Sequence, residues 1–307
     1  MTDDPTLDLR VMDQLRLIPD LEPKRPKKVD PMFELPDQEP TTMDGWLQEA
    51  VDIVEFAKET HDPVRTFLLF SGGTDSLTLL ESVGHLADEI VHINTGIGIP
   101  ETNQFCQDVV SGHFDRPLTV LHPPRPYDEL VLNDWSGFPG PGAHRLSYVR
   151  LKERPIEQLL RDHRTKRGQR FLLLTGIRNK ESVRRMGYSD PVERKGGQVW
   201  TSPILRISDE AKRELLDVRG TPKNEVSAHL HMSGECLCGA FAKPGELDEI
   251  GFFYPHVKER INDLERQARK LGLAACVWGE RPPKKNAIPA GPMCVSCTLW
   301  GEEDEDV

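Results

Sequence analysis

Apolar residues occur along the chain in short runs separated by segments with helical spacing. The runs predict strands at 66–70, 89–94, 117–121, 171–175 and 198–204. In two of them, 66–70 and 171–175, no polar residue alternates with the apolar ones, as expected of strands buried on both faces. Helices are predicted at 46–58, 75–86, 101–111, from 145 onward, 179–186, 208–218 and 255–271. This alternation predicts an α/β fold, a parallel twisted sheet with helices on both faces.

The ends of the chain do not follow this pattern. Residues 1–44 contain seven prolines within the first 40 positions, and they are predicted to form an extended arm. Residues 45–220 form the predicted nucleotide-binding α/β domain, and 221–300 a smaller C-terminal region that contains most of the cysteines. The last seven residues, GEEDEDV, are a predicted acidic tail.

The charge is unevenly distributed. The 307 residues include 39 basic and 50 acidic side chains, a net charge of −11, which argues against a protein that coats nucleic acid with its whole surface. The segment 145–185 has 13 Lys/Arg and 4 Asp/Glu and so carries +9, which leaves −20 for the remainder. A basic segment in an acidic chain indicates a local anion site, and a solvated helix face is the alternative.

The hydropathy of the sequence argues against a membrane-spanning or secreted protein. Hydrophobic residues make up 37% of the chain, mean hydropathy is −0.50, and no apolar run approaches the ~18 residues of a membrane helix. The start, MTDDPTLDLR, lacks both the basic and the apolar regions of a secretory signal. We therefore expect a cytoplasmic protein with no membrane partner.

One short segment has the composition of a phosphate-binding loop. It lies between a predicted buried strand and a predicted helix and consists of Ser71, Gly72, Gly73, Thr74, Asp75 and Ser76. The glycines let backbone N–H groups converge on an anion, the hydroxyls add donors, and the helix N-terminus adds partial positive charge. Asp75 would cap the helix or hold Mg²⁺. A plain strand-to-helix turn is the alternative.

Two other phosphate-binding motifs are excluded. The chain contains no G-x-x-x-x-G-K-[ST], so a Walker A site is absent from the sequence. The stretch from Gly96 to Glu101 lacks the third glycine of a dinucleotide fingerprint.

The six cysteines divide into two isolated residues and two close pairs. Cys106 and Cys276 are predicted to be small buried hydrophobic residues, with Cys276 a possible spare ligand. The C-x-C pair and the C-x2-C pair would together provide four thiolates, which suit zinc or a [4Fe–4S] cluster. On general grounds zinc is the commoner occupant, and four unligated thiols are the alternative. These four residues are Cys236, Cys238, Cys294 and Cys297.

Three segments carry a family resemblance. Residues 71–76 match the SGGxDS signature of the PP-loop, or N-type, ATP pyrophosphatases. Residues 92–102 resemble the strand end and Pro-Glu-Thr of the phosphoadenosine phosphosulfate (PAPS) reductase branch, and 175–185 is similar to its Gly-Ile-Arg-x-x-Glu-Ser-x-x-Arg element. The resemblance covers roughly residues 45–220.

The resemblance implies a nucleotide site at the carboxyl ends of the strands. The loop 71–76 would hold pyrophosphate or the phosphosulfate end of a sulfonucleotide, the backbone near Ile93 would hold adenine, and Glu181 would orient an arginine that clamps anionic oxygens. Outside the loop the implied site residues are Ile93, Asn94, Thr95, Gly96, Gly176, Arg178, Glu181, Arg184 and Arg185. The catalytic candidates are Asp75, Arg178 and Lys180. The resemblance also favours [4Fe–4S] over zinc at the four paired cysteines.

The chain departs from the reductases in three features. It lacks their C-terminal Glu-Cys-Gly-Leu-His segment, which carries the nucleophilic cysteine. Its first cysteine pair is C-x-C where theirs is adjacent, and Asn94 stands where the family usually has Asp. These differences count against PAPS reduction while leaving adenine-nucleotide binding intact.

Three functions are therefore considered. The first is an iron–sulfur sulfurtransferase that activates an acceptor with ATP and Mg²⁺. Its acceptor would be a nucleic acid approached through 145–185, and it would work with a sulfur donor or reductant protein, as a homo-oligomer or in a complex. The second is a sulfonucleotide reductase that releases sulfite from PAPS or adenosine phosphosulfate. The third is a non-catalytic nucleotide-binding subunit with a structural zinc.

Overall fold

The computed structural model describes residues 31–179 and 190–280. Contacts divide the chain into Met1–Met32 and Phe33–Val307, and every element named below belongs to the second unit. Several predicted site residues lie outside the described residues, as does most of the predicted helix 179–186; they are Lys180, Glu181, Arg184, Arg185, Cys294 and Cys297. In the part of the chain that is described, no helix is long and apolar enough to cross a membrane.

The described residues form one six-stranded sheet with the strand order β3-β2-β1-β4-β6-β5. The strands are β1 Arg65–Leu69, β2 Glu89–Ile93, β3 Leu118–Leu121, β4 Phe171–Leu174, β5 Val192–Lys195 and β6 Gln198–Thr201. All neighbouring pairs are parallel except β5 and β6. The predicted parallel α/β sheet is confirmed, and one antiparallel edge strand is added to it.

The described residues contain ten α-helices. They are α1 Met43–His61, α2 Thr74–Val83, α3 Pro100–Asp108, α4 Tyr127–Glu129, α5 His144–Tyr148, α6 Arg154–His163, α7 Asp209–Val218, α8 Glu225–Leu230, α9 Glu246–Phe253 and α10 Pro255–Lys270. π-helical turns extend α3 and α4 through Val109–His113 and Leu130–Asp134, and another, Val149–Glu153, joins α5 to α6. The helix predicted from residue 145 is this joined α5–α6 unit.

Alternate residues of the central strands face opposite sides of the sheet, and each side is covered. Leu68 of β1 belongs to a core with residues of α1, α2 and α7. Phe67, next to it in the strand, belongs to a core with Ile156 and Leu159 of α6. Because both faces are buried, these strands contain apolar residues at consecutive positions.

The C-terminal region shares a third core with segments from the first half of the chain. Val226 of α8 and Ile261 of α10 pack with Ile97, Tyr127 and Leu237. The residues that follow β2 therefore contact the C-terminal region directly. The sequence predicted α10, but no pattern in it indicated the shorter α8 and α9.

A buried ion pair ties α1 to the segment before α7. Arg206 donates to the carboxylate of Glu49, and both side chains are largely buried. Arg206 also donates to the carbonyl of Pro36 at 2.7 Å. One guanidinium thus fixes both the helix and the chain that leads into it.

Replacing Arg206 with Met should lower the free energy of unfolding by about 3 kcal/mol, because the buried Glu49 carboxylate loses its partner. The double variant Arg206→Met/Glu49→Met should recover most of that loss. Arg213→Met breaks an exposed pair with Glu210 and should change stability by less than about 0.5 kcal/mol. Urea unfolding of the four proteins measures this, and an equal loss in the Arg206 and Arg213 variants would contradict it.

Candidate functional site

A cavity of about 740 Å³ opens at the carboxyl ends of β1, β2 and β4. Its walls are the loop after β1, the chain after β4, one side of α5–α6, and residues of α7, α8 and the segment 231–235. The three central strands are parallel neighbours, so their ends lie at one edge of the sheet. Ligands of open α/β sheets bind at this edge.

The predicted phosphate loop forms the floor of the cavity. Gly72 has φ +75°, and a Cβ at this position would lie 2.7 Å from the sulfur of Cys106. The hydroxyl of Ser76 accepts from the backbone N–H of Ser71 at 3.3 Å and donates to the carbonyl of Gly73 at 2.9 Å. No side chain caps α2 at Gly73, so its first amides can serve ligand oxygens.

Four charged side chains meet beside the loop. Arg178 Nε and Lys212 Nζ donate to Asp75 Oδ1 at 2.9 and 2.7 Å. The same two cations contact Asp209 Oδ1 at 2.9 and 3.3 Å. Burial acts to raise the pKa of Asp209, but Arg178 and Lys212 lower it overall. Two of these groups, Lys212 and Asp209, were not predicted as site residues.

The chain after β4 approaches the loop closely. A Cβ on Gly176 would lie 3.1 Å from the backbone carbonyl of Asp75. Arg178, two residues later, is buried and also donates to the carbonyl of Ile207 at 3.3 Å. Its guanidinium is therefore fixed by three acceptors on two segments.

The predicted adenine-binding residues at the end of β2 and directly after it divide into two groups. Ile93 lines the cavity. Asn94 accepts from the backbone N–H of Gly96 at 3.0 Å, and the buried hydroxyl of Thr95 donates to the carbonyl of Glu235 at 2.8 Å. Asn94, Thr95 and Gly96 shape the loop and are not among the cavity-lining residues, and neither is Gly72.

The segment 233–238, which contains Cys236 and Cys238, packs against the chain that follows β2. The carbonyl of Ser233 accepts from Thr102 at 2.6 Å, and that of Gly234 accepts from the backbone N–H of Ile99 at 2.8 Å. A Cβ on Gly98 would lie 2.3 Å from the carbonyl of Glu235, so only glycine permits this approach. Segment 233–238 is thereby held at the end of β2.

Asn224 joins the cysteine segment to the phosphate loop. Its side-chain amide donates to the carbonyl of Gly72 at 3.0 Å and to that of Ser233 at 3.5 Å, and the residue is buried. Its Oδ1 caps α8 by accepting from Val226 N at 3.0 Å. One side chain thus fixes the relative position of three cavity walls.

Cys236 and Cys238 lie two positions apart, and the interaction between their thiols lowers the pKa of Cys238 and, together with burial, raises that of Cys236. Lys152 Nζ lies 2.9 Å from Glu235 Oε1, and its charge favours the thiolate of both cysteines. Burial acts to lower the pKa of Lys152, but Glu235 and Cys236 raise it overall. Lys152 and Glu235 also line the cavity.

These two thiols fit half of a thiolate metal site. Two adjacent soft donors with a compensating cation suit zinc or an iron–sulfur cluster. Within residues 31–179 and 190–280 no group of three or more His, Cys, Asp or Glu could hold a metal ion. Trp278 Nε1 donates to the carbonyl of Leu237 at 2.7 Å, so the last described residues lie beside the pair. Cys294 and Cys297 follow 14 and 17 residues after Glu280.

Comparison with known proteins agrees with the predicted resemblance. The family model of the phosphoadenosine phosphosulfate reductase domain matches residues 65–228. A phosphoadenylyl-sulfate reductase from Candida auris, in a phosphate complex, is 15% identical with a TM-score of 0.43, over 64% of this chain and 94% of that one. The U34-tRNA thiolase NcsA from Methanococcus maripaludis, with its [4Fe-4S] cluster, is 14% identical with a TM-score of 0.36, and the match covers 74% of this chain and 80% of that one. No curated protein sequence matches the chain.

Gly72 and Gly96 have the same φ of +75°, so replacing each of them distinguishes the cost of backbone strain from the cost of steric overlap. A methyl group added at Gly96 would have no atom within 4 Å. A methyl group added at Gly72 would lie 2.7 Å from the sulfur of Cys106. Gly96→Ala should cost about 1–2 kcal/mol of unfolding free energy from the left-handed backbone alone. Gly72→Ala should cost about 1–3 kcal/mol more, because the loop must shift. Urea unfolding compares them, and equal losses would show that the overlap is relieved without cost.

Proposed function

Because the chain belongs to the phosphoadenosine phosphosulfate reductase domain family, we propose that it binds an adenine nucleotide in the 740 Å³ cavity and uses ATP to activate an acceptor for sulfur transfer. The loop 71–76 would take the pyrophosphate, and Ile93 would contact the adenine base. Arg178 and Lys212 provide the positive charge. The paired cysteines provide the sulfur-handling half of the site.

One observation carries this proposal: the nucleotide cavity and the cysteine pair share a wall. Ser233 and Glu235 line the cavity, and Cys236 is the next residue. Thr95 and Asn224 hold this wall against the adenine side and the phosphate side. An acceptor activated in the cavity would therefore lie close to sulfur held at the cysteines.

The proposed chemistry has two displacements. An acceptor oxygen attacks the α-phosphorus of ATP, and the bond to the β-phosphate oxygen breaks, so pyrophosphate leaves toward the loop. Hydrosulfide, which a donor protein would deliver, then attacks the activated acceptor atom; the bond from that atom to the original acceptor oxygen breaks, and this oxygen departs with AMP. Arg178 and Lys212 offset the charge on the leaving pyrophosphate. Oδ2 of Asp75 would be the protein ligand for Mg²⁺, since both cations contact Oδ1.

The four paired cysteines would hold a [4Fe–4S] cluster, with zinc as the alternative. A bound cluster would supply an iron at which the sulfur to be transferred is held. Lys152 would balance the negative charge of the thiolates, and Glu235 would position Lys152. Tyr127 donates to the carbonyl of Cys238 at 3.0 Å and so orients the second cysteine.

A nucleic acid remains our proposed acceptor, and we propose that only part of segment 145–185 contacts it. Tyr148 and Lys152 of the α5–α6 unit line the cavity. From there the chain returns to the opposite edge of the sheet, where β4 begins at Phe171. The cations at that far edge are Arg161, Arg164, Lys166, Arg167 and Arg170. Arg145, Arg150 and Arg154 lie on the same helical unit as Tyr148 and Lys152, and we propose that they guide a phosphate backbone to the cavity.

Exchange between ATP and labelled pyrophosphate tests the activation step. With a nucleic-acid acceptor and hydrosulfide present, we expect exchange, AMP release and sulfur incorporation. Cys236→Ser should retain exchange and lose at least about 100-fold in sulfur incorporation, because it changes only the sulfur half. Cys276→Ser, in the same core, is the matched control and should retain both. Sulfite release from PAPS with a thiol reductant, and no exchange, would instead establish the reductase.

Anaerobic purification with metal analysis tests the cofactor. We expect four irons and a broad shoulder near ~400 nm, because four thiolates suit a cubane cluster. Cys236→Ala and Cys297→Ala should lose the shoulder, and Cys276→Ala should keep it. One equivalent of zinc and no visible absorbance would favour the non-catalytic subunit, and a metal-free protein would contradict both.

A further inference from the structure

We propose that Asp209 is an internal anion that occupies the phosphate-binding cations of the cavity and that is displaced when a nucleotide binds. This inference rests on the proposed nucleotide site and assigns Lys212 to it. Arg178 and Lys212 each contact Asp209, at 2.9 and 3.3 Å. Each also contacts Asp75 of the phosphate loop, at 2.9 and 2.7 Å.

The four members of this cluster differ in how firmly they are held. The side chains of Arg178 and Lys212 are only 6% and 11% exposed. Asp75 lies in the first turn of α2, within the phosphate loop. The side chain of Asp209 is 56% exposed. Asp209 is therefore the member that can rotate into water at least cost.

Leaving the cluster would not disturb the start of α7. The helix begins at Asp209, but its cap is Ser208, whose hydroxyl accepts from the backbone N–H of Ala211 at 3.0 Å. The Asp209 carboxylate is thus not needed to satisfy the first amides. Its ion pairs are with the two cations of the cavity.

Charge balance explains why displacement is required. Two carboxylates offset two cations, so the cluster has no net charge. A phosphate group that reaches Arg178 and Lys212 gains little until one carboxylate withdraws, because like charges at this distance repel. Once Asp209 has left, one unit of positive charge faces the phosphate. Asp75 remains to hold the cations in place and to serve Mg²⁺.

Isothermal titration with ATP, and separately with inorganic pyrophosphate, tests the inference. Asp209→Asn should tighten binding about two- to fivefold, the range expected when a partly exposed ion pair is removed as a competitor. Lys212→Met should weaken it about tenfold or more, because a charge-assisted hydrogen bond to phosphate is lost. Glu210→Gln and Arg213→Met are matched controls on the same helix, since their side chains are 79% and 70% exposed.

Opposite effects of the two site variants, with unchanged controls, would support the displacement. Unchanged or weaker binding by Asp209→Asn would overturn it, and Asp209→Ala should confirm the direction with a second side chain. Near-ultraviolet circular dichroism and a thermal midpoint establish that each variant is folded. A wild-type protein that binds neither ATP nor pyrophosphate would overturn the proposed function as well. Binding by the wild type with no gain in the Asp209 variants would overturn only this inference.

Discussion

The candidate site depends on the parallel pairing of β1 with both β2 and β4. This pairing places three strand ends at one edge of the sheet. The phosphate loop, the strand-end loop 93–96 and the chain to Arg178 therefore begin side by side, although 103 positions separate Asp75 from Arg178. The sheet thus brings the loops together, and the contact between Arg178 and Asp75 then joins two of them.

Close backbone contacts then complete the cavity. Gly98 allows the carbonyl of Glu235 to approach the chain after β2, and Gly176 allows the chain after β4 to approach Asp75. Side-chain hydrogen bonds from Thr95 and Asn224 hold the cysteine segment in the position that these glycines permit. The cysteine pair is thus built onto the nucleotide-binding fold by the same contacts that close its cavity.

The sequence was informative where the signal is local. The phosphate loop and β1 were predicted because glycines, hydroxyls and an apolar run are adjacent in the chain. β5, with the sequence Val-Glu-Arg-Lys, was missed because it is an edge strand of mostly polar, exposed residues. Lys212 was missed because its partner Asp75 lies 137 positions away, and an amphipathic helix such as α7 has lysines for many reasons. The roles of Lys152 and Asn224 likewise depend on tertiary contacts.

A positive segment of sequence is not equivalent to a positive surface. The four Lys and Arg side chains known to line the cavity all have carboxylate partners: Lys152 pairs with Glu235, Arg178 and Lys212 with Asp75 and Asp209, and Lys223 with Asp217. Acidic residues outside segment 145–185, including Asp209 and Asp217 of α7, thus neutralise cations at the cavity. The affinity of such a site for an anion depends less on its number of cations than on which carboxylates can leave them. Buried partners such as Glu235 fix a cation in place, whereas more exposed partners, such as Asp209, can give way to a ligand.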